Sequence, residues 1–343
     1  MTLGKILISA LGMAGLAAAV PRAHAIEDRA AIPRAPRMEQ REETFTTTLY
    51  TVSTVTHYVT EATVGVDSNA HLDSASNGTT ILPGIAYAPY TATGGCKDES
   101  QIHDDFVKLN GSYSIIRIYG TDCDQVALSL KAIEGMNVKL FLGIWDVNSV
   151  AVEAQKIIDG IDGKWNLVHT VSVGNERVNA GEASPETVVA AIKQARSLLR
   201  AAGYDGPVVT VDTFVAVIAH PELCEASDYC AFNAHAFFDA TVVADQAGTW
   251  LTKTVTSVKD AISGQKKFMV TESGWPCKGL PNGLAVPSAS EQKAAIASIR
   301  KAFAHNLDEV VLFSAFNTPW KAEEVATFNA EPFWGIDGAI SSS

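Results

Sequence analysis

Past its first 25 residues the chain has no stretch of 18 uninterrupted apolar residues, so nothing there is long enough to cross a bilayer as a helix. Cysteine is scarce: five residues, Cys96, Cys123, Cys224, Cys230 and Cys277, in 343. That is too few for a disulfide framework to carry the fold, and the odd number leaves a thiol over. No CxxC and no HExxH occurs, which argues against a structural zinc site or a zincin centre. No GxGxxG follows the first strand-like run, where Gly94-Gly95-Cys96 stands instead. Positive charge is also short. Lys and Arg number 26 against 38 Asp and Glu, a net charge of −12, so a basic nucleic-acid-binding face is not expected.

The first 25 residues read as a secretory signal peptide. Lys5 precedes an apolar run from Ile6 to Ala19, and small-residue triplets follow at Ala17-Ala18-Ala19 and Ala23-His24-Ala25. The alternative is an N-terminal membrane anchor, for which the run is short. Cleavage would remove Lys5 and Arg22 and no acid, taking the charge from −12 to −14. Residues 26–80 are charged at first, then rich in Thr and Ser. They bury little apolar area and are expected to form an extended or disordered stalk, although Leu49–Val55 has strand propensity. Asn77 and Asn110 open N-glycosylation sequons. The mature chain is expected to be secreted, without a membrane anchor, and monomeric.

From residue 81 a rhythm begins. Apolar runs at 82–87, 113–119, 138–145, 168–173, 208–211, 229–233, 268–271 and 310–316 alternate with segments of helical period. The runs are continuous, as in parallel strands covered on both faces. Helices are expected at 101–109, 125–134, 150–161, 254–262, from Ser184 with Pro185 at its first position, and from Ser288 with Glu291 at capping-box spacing. Eight strand–helix units over residues 81–343 have the size and order of a (β/α)8 TIM barrel. A doubly wound open sheet is the alternative, weakened by the missing phosphate loop.

In a barrel the strand ends and the loops after them form the active site. The fourth run ends Val173-Gly174-Asn175-Glu176 and the seventh ends Thr271-Glu272-Ser273-Gly274-Trp275-Pro276. Each places a Glu directly after a buried strand. Two carboxylates facing across a cleft are what glycoside hydrolysis needs: one protonated to serve the leaving oxygen, one ionised to attack the anomeric carbon or activate water. The bland alternative is a pair of strand-end carboxylates satisfied in salt bridges.

These stretches resemble glycoside hydrolase family 17, the fungal β-1,3-glucanases and glucanosyltransferases. So do Gly84-Ile85-Ala86-Tyr87, Arg117-Ile118-Tyr119-Gly120, Asn233-Ala234-His235 and Phe316-Asn317-Thr318-Pro319-Trp320. The resemblance covers about residues 81–336. It implies Glu176 as proton donor, Glu272 as nucleophile, Asn175 against the sugar 2-hydroxyl, and Tyr87, Tyr119, Asn233 and His235 facing the cleft. Packing stays open as the role of Tyr119, and a supporting position as that of His235. Trp275 and Trp320 are candidate sugar-stacking residues, with Trp145, Phe237, Phe238 and Trp334 also near strand ends. The chain departs from the family at Ala236, where relatives often carry Pro, and at Asn317-Thr318, where they often carry acids. The implied substrate is cell-wall β-1,3-glucan, with no cofactor and no metal. Cys96 and Cys123 follow adjacent strands and are expected to pair; any second bridge among Cys224, Cys230 and Cys277 is open. The competing functions are a non-catalytic glucan-binding or adhesion mannoprotein and another barrel glycosidase.

Overall fold

A computed structural model describes residues 81–262 and 266–337. Residues 1–80, with the expected signal peptide, the expected Ser/Thr-rich stalk and the sequon at Asn77, lie outside the described residues.

Eight strands run in parallel: β1 (Gly84–Ala86), β2 (Ile115–Arg117), β3 (Lys139–Ile144), β4 (Val168–Asn175), β5 (Val208–Thr213), β6 (Cys230–Asn233), β7 (Phe268–Ser273) and β8 (Val310–Leu312). Each pairs with the next and β8 pairs with β1, closing the barrel. Every apolar run of the sequence overlaps one of these strands, and β4, β5 and β7 each continue two residues beyond their run, into polar residues. The open-sheet alternative is excluded by the β1–β8 pairing.

Helices cover the outside: α1 (Glu99–Leu109), α2 (Gln125–Ala132), α3 (Val150–Ile161), α4 (Pro185–Ala201), α5 (Phe214–Ala219), α6 (Glu222–Ala226), α7 (Ala247–Ala261) and α8 (Ala289–Ala302). Ser184 and Ser288 cap α4 and α8 by accepting from the amides of Thr187 and Glu291. The short α5 and α6 have no helical period to read. α7 begins seven residues before the expected 254, across Gly248, whose α position lies against the Ser298 backbone of α8. There the close helix–helix approach outweighs the low helix propensity of Gly.

Three register shifts matter for function. They lie between Ser172 and Asn175 of β4, Phe232 and Asn233 of β6, and Val270 and Ser273 of β7. Such irregularities re-aim the side chains that follow them. All three occur where the family motifs sit.

Cys96 is bonded to Cys123, with Cα atoms 5.3 Å apart, joining the loop after β1 to the loop after β2. Cys224 is bonded to Cys230, joining α6 to β6, and Cys277 is free. Asn110 is exposed at the C-cap of α1.

Candidate active site

The C-terminal mouth of the barrel is organised around a cation. Arg117, the last residue of β2, points inward and is fully buried. Its Nη1 donates to Glu272 Oε1 at 3.0 Å and to the Thr271 carbonyl at 2.7 Å; its Nη2 donates to Asn175 Oδ1 at 2.8 Å. The guanidinium also lies 4.4 Å from the ring centroid of Tyr119 and 5.3 Å from that of Phe141. A buried charge is tolerated only when paired and hydrogen-bonded, and these partners do both.

Glu272, 2% exposed, sits at the far end of this pair. Its Oε1 also accepts from the Tyr119 hydroxyl at 2.9 Å, and its Oε2 lies 3.4 Å from His235 Nε2. Burial pushes the Glu272 carboxyl up. The bond from His235, the charge of Arg117 and the Tyr119 hydroxyl outweigh that effect and leave it below its ordinary value. These contacts favour its carboxylate form, with Oε2 the less engaged oxygen.

Glu176 lies across the mouth, 6% exposed. Asn233 Nδ2 donates to its Oε1 at 2.8 Å and to Asn175 Oδ1 at 3.2 Å, while Asn233 Oδ1 accepts from Thr271 Oγ1 at 2.8 Å. Glu176 Oε2 has no partner among the described residues. Burial first, and then the negative charge of Glu272, hold the Glu176 carboxyl well above its ordinary value. Two carboxyls in one network are thus driven in opposite directions, one towards acid and one towards carboxylate.

Backbone geometry sets Glu176 in place. Gly174 has φ +76° and Glu176 itself has φ +55°, in the left-handed region that non-glycine residues rarely occupy. A Cβ on Gly174 would lie 3.0 Å from Val147 Cγ1 and 3.1 Å from Arg177 Cγ. The chain then turns into the loop before α4, which Asp212 secures by accepting from the amides of Val178 at 2.9 Å and Asn179 at 3.2 Å.

The other expected residues divide. Asn175, Tyr119, Asn233 and His235 converge with the two Glu. Tyr87 lines the same pocket as Tyr119, together with Asn317, Thr318 and Lys321, but its hydroxyl is turned to Asp105 at 2.9 Å. Lys97, also buried, bonds the same carboxylate. Trp275 is not at the cleft surface. It is fully buried, its indole N–H donating to the Val286 carbonyl at 2.9 Å and its ring packed edge-on against Phe237 at 5.4 Å. Phe237 and Trp334 are buried in the same aromatic cluster, because large rings from neighbouring strand ends bury one another. Trp320 is half-buried against Tyr90, ring centroids 5.1 Å apart.

Sequence reasoning named Arg117 only as part of a motif and overlooked Asp212. A charged residue at or next to the end of a buried strand was the signal available for both.

Residues 84–335 match the family model described as the BtgE/BtgC glycoside hydrolase domain. The chain belongs to the BtgE/BtgC glycoside hydrolase family. Among its relatives is the cell surface mannoprotein MP65 of Candida albicans, 48% identical over 255 residues, which are 74% of this chain and 66% of that protein. Another, of Saccharomyces cerevisiae, is named probable family 17 glucosidase SCW4 and is 45% identical over 255 residues, 74% of this chain and 64% of that protein. The match agrees with the family 17 resemblance of the motifs. The aligned part is thus about two thirds of the length of these relatives. The fold is shared with the family 17 β-1,3-glucanosyltransferase of Rhizomucor miehei: TM-score 0.65, 22% identity, 75% of this chain and 93% of that one covered.

Proposed function

We propose that the protein is a secreted, cell-wall retaining glycosidase acting on β-1,3-glucan, by hydrolysis or by glucanosyl transfer, with Glu272 as nucleophile and Glu176 as acid and base. One observation carries the reading. Glu176 and Glu272 share one buried network through Asn233, Asn175 and Arg117, in which burial and the charge of Glu272 favour the acid form of Glu176 while His235, Arg117 and Tyr119 favour the carboxylate of Glu272. The substrate is inferred from the family and from the Rhizomucor enzyme, whose active-site mutant was solved with laminaritriose.

In the first step Glu272 Oε2 attacks the anomeric carbon while Glu176 gives its proton, from the unpartnered Oε2, to the leaving glycosidic oxygen. Asn175, held by Arg117 and Asn233, is the partner for the sugar 2-hydroxyl. Tyr119, Arg117 and His235 stabilise the Glu272 carboxylate, which must leave again in the second step. Glu176, now a carboxylate, takes a proton from water or from a sugar hydroxyl as that oxygen attacks. A retaining reaction of this kind needs the two carboxyl groups about 5–5.5 Å apart. Residues 1–25 as a cleaved leader, 26–80 as a Ser/Thr-rich stalk and a glycan at Asn110 belong to the same proposal. The N-terminus of the exported protein, expected at Ile26, tests the leader.

The decisive experiment compares two variants. Glu272→Gln should abolish turnover of every substrate, because no nucleophile remains. Glu176→Gln should lose activity on glucan, yet still release an activated aryl alcohol in the first step. Azide should then rescue its second step and yield the β-glycosyl azide. A Glu272→Gln protein that still cleaved β-1,3-glucan would overturn the assignment. A wild-type protein that bound glucan without turning it over would favour the wall-mannoprotein reading, which the name of the Candida relative suits equally well.

A further inference from the structure

Trp145 is the residue after β3. Side chains alternate along a strand, so Trp145 shares the inward face with Phe141 and Gly143. Phe141 marks that face, since its ring carries the Arg117 guanidinium at 5.3 Å. Trp145 therefore stands over the barrel mouth on the same side as Phe141. It is half-buried, unlike Trp275 and Trp334, so part of its ring surface remains open.

The ring is held from two directions. Its backbone is fixed by Glu153 of α3, which accepts from the amides of Trp145 at 2.7 Å and Asp146 at 3.0 Å. One face is backed by Arg177, whose guanidinium carbon lies 5.4 Å from the ring centroid. Arg177 immediately follows Glu176, and its Nη1 is anchored on Glu182 at 2.5 Å. The strained turn through Gly174 and Glu176 thus delivers two things at once: the acid carboxyl and the clamp on Trp145.

Position then assigns a side. The pocket walled by Tyr87, Tyr119, Asn317, Thr318 and Lys321 lies by the loops after β8, β1 and β2, next to the Tyr119 hydroxyl that touches Glu272. Trp145 lies by the strand that carries Glu176, the group facing the leaving oxygen.

We infer that Trp145, clamped by Arg177, is the platform for the leaving half of the glucan and for the saccharide acceptor that replaces it, and so sets the ratio of transfer to hydrolysis. The inference rests on the retaining reading above. The apolar C–H face of an acceptor glucosyl unit stacks on the indole. Its hydroxyl then gives a proton to the Glu176 carboxylate as its oxygen bonds the anomeric carbon. The bond from that carbon to Glu272 breaks, and its electron pair returns to the carboxylate. Water needs no platform for the same attack.

The test uses an aryl β-laminaribioside as donor and laminaritriose as added acceptor, and reads the ratio of transfer product to hydrolysis product. Trp145→Ala should lower that ratio at least tenfold, with Trp145→Phe recovering much of it. Arg177→Ala, which releases the ring without removing it, should lower it by a smaller factor. A ratio within twofold of the parent in Trp145→Ala, or a parent that releases aryl alcohol but forms no transfer product, overturns the platform alone. A parent that releases no aryl alcohol overturns the retaining reading, and the platform with it.

Discussion

The two glutamates make opposite demands on stability. The carboxyl of Glu176 is raised by burial and by Glu272, so the folded state holds a proton that the unfolded chain releases above its ordinary carboxyl pKa. A group of this kind stabilises fully below the unfolded pKa. That contribution is lost as pH rises towards the folded value, by up to about 1.4 kcal/mol per pH unit. Glu176→Gln carries no such dependence, and its amide oxygen can still accept from Asn233. The variant should therefore melt close to the parent at pH 4, and increasingly above it at pH 5 and 6, by about 2–4 °C per kcal/mol. Thermal melts across that range check this, and a constant or negative difference would contradict it. Glu272 is the reverse case: its charge neutralises the buried Arg117, so the same substitution there leaves a cation short of its partner. The two glutamates and their strand-end positions were legible in the sequence. Arg117 as the hub was not, because it draws together Asn175 and Glu272 from strands far off in the chain, a relation that only barrel closure creates.

At the scale of elements, the site is built by departures from regular strands. β4, β6 and β7 each lose register just before Asn175, Asn233 and Glu272. Apolar runs revealed all eight strands, since continuous hydrophobicity survives such shifts, but the shifts themselves leave no apolar pattern to read. The same blindness explains Trp275: its place after a strand suggested the cleft, while its indole bonds the Val286 carbonyl and its ring packs against Phe237 in the core. Gly174 offers the direct test at this scale. Gly174→Ala puts a side chain into a left-handed residue, at about 1–2 kcal/mol, and crowds Val147 and Arg177. Stability should fall by about 2–3 kcal/mol in denaturant titration. Activity should fall further, on the order of a hundredfold, because both Glu176 and the residue clamping Trp145 are displaced. Unchanged turnover in a destabilised protein would show that the turn serves the fold alone.

Taken as a whole molecule, the described residues form a closed barrel whose outer helices and buried strands are ordinary packing, while Arg117, Asn175, Glu176, Asn233 and Glu272, buried at or just after strand ends, are joined in one network at the mouth. Eight repeats of strand and helix made the architecture readable from periodicity. Which face would carry the chemistry followed from the barrel rule, and the pairing of opposed carboxyls completed it. The most direct measurement is to trap the intermediate. A 2-deoxy-2-fluoro-β-laminaribiosyl fluoride should glycosylate the protein once, because the fluorine destabilises the transition states of both steps while the good leaving group still permits the first. Peptide mass spectrometry should then find the sugar esterified to Glu272, with the label discharged faster when laminaritriose is added. A label on another carboxylate, or none on a protein that turns over β-1,3-glucan, would contradict the account.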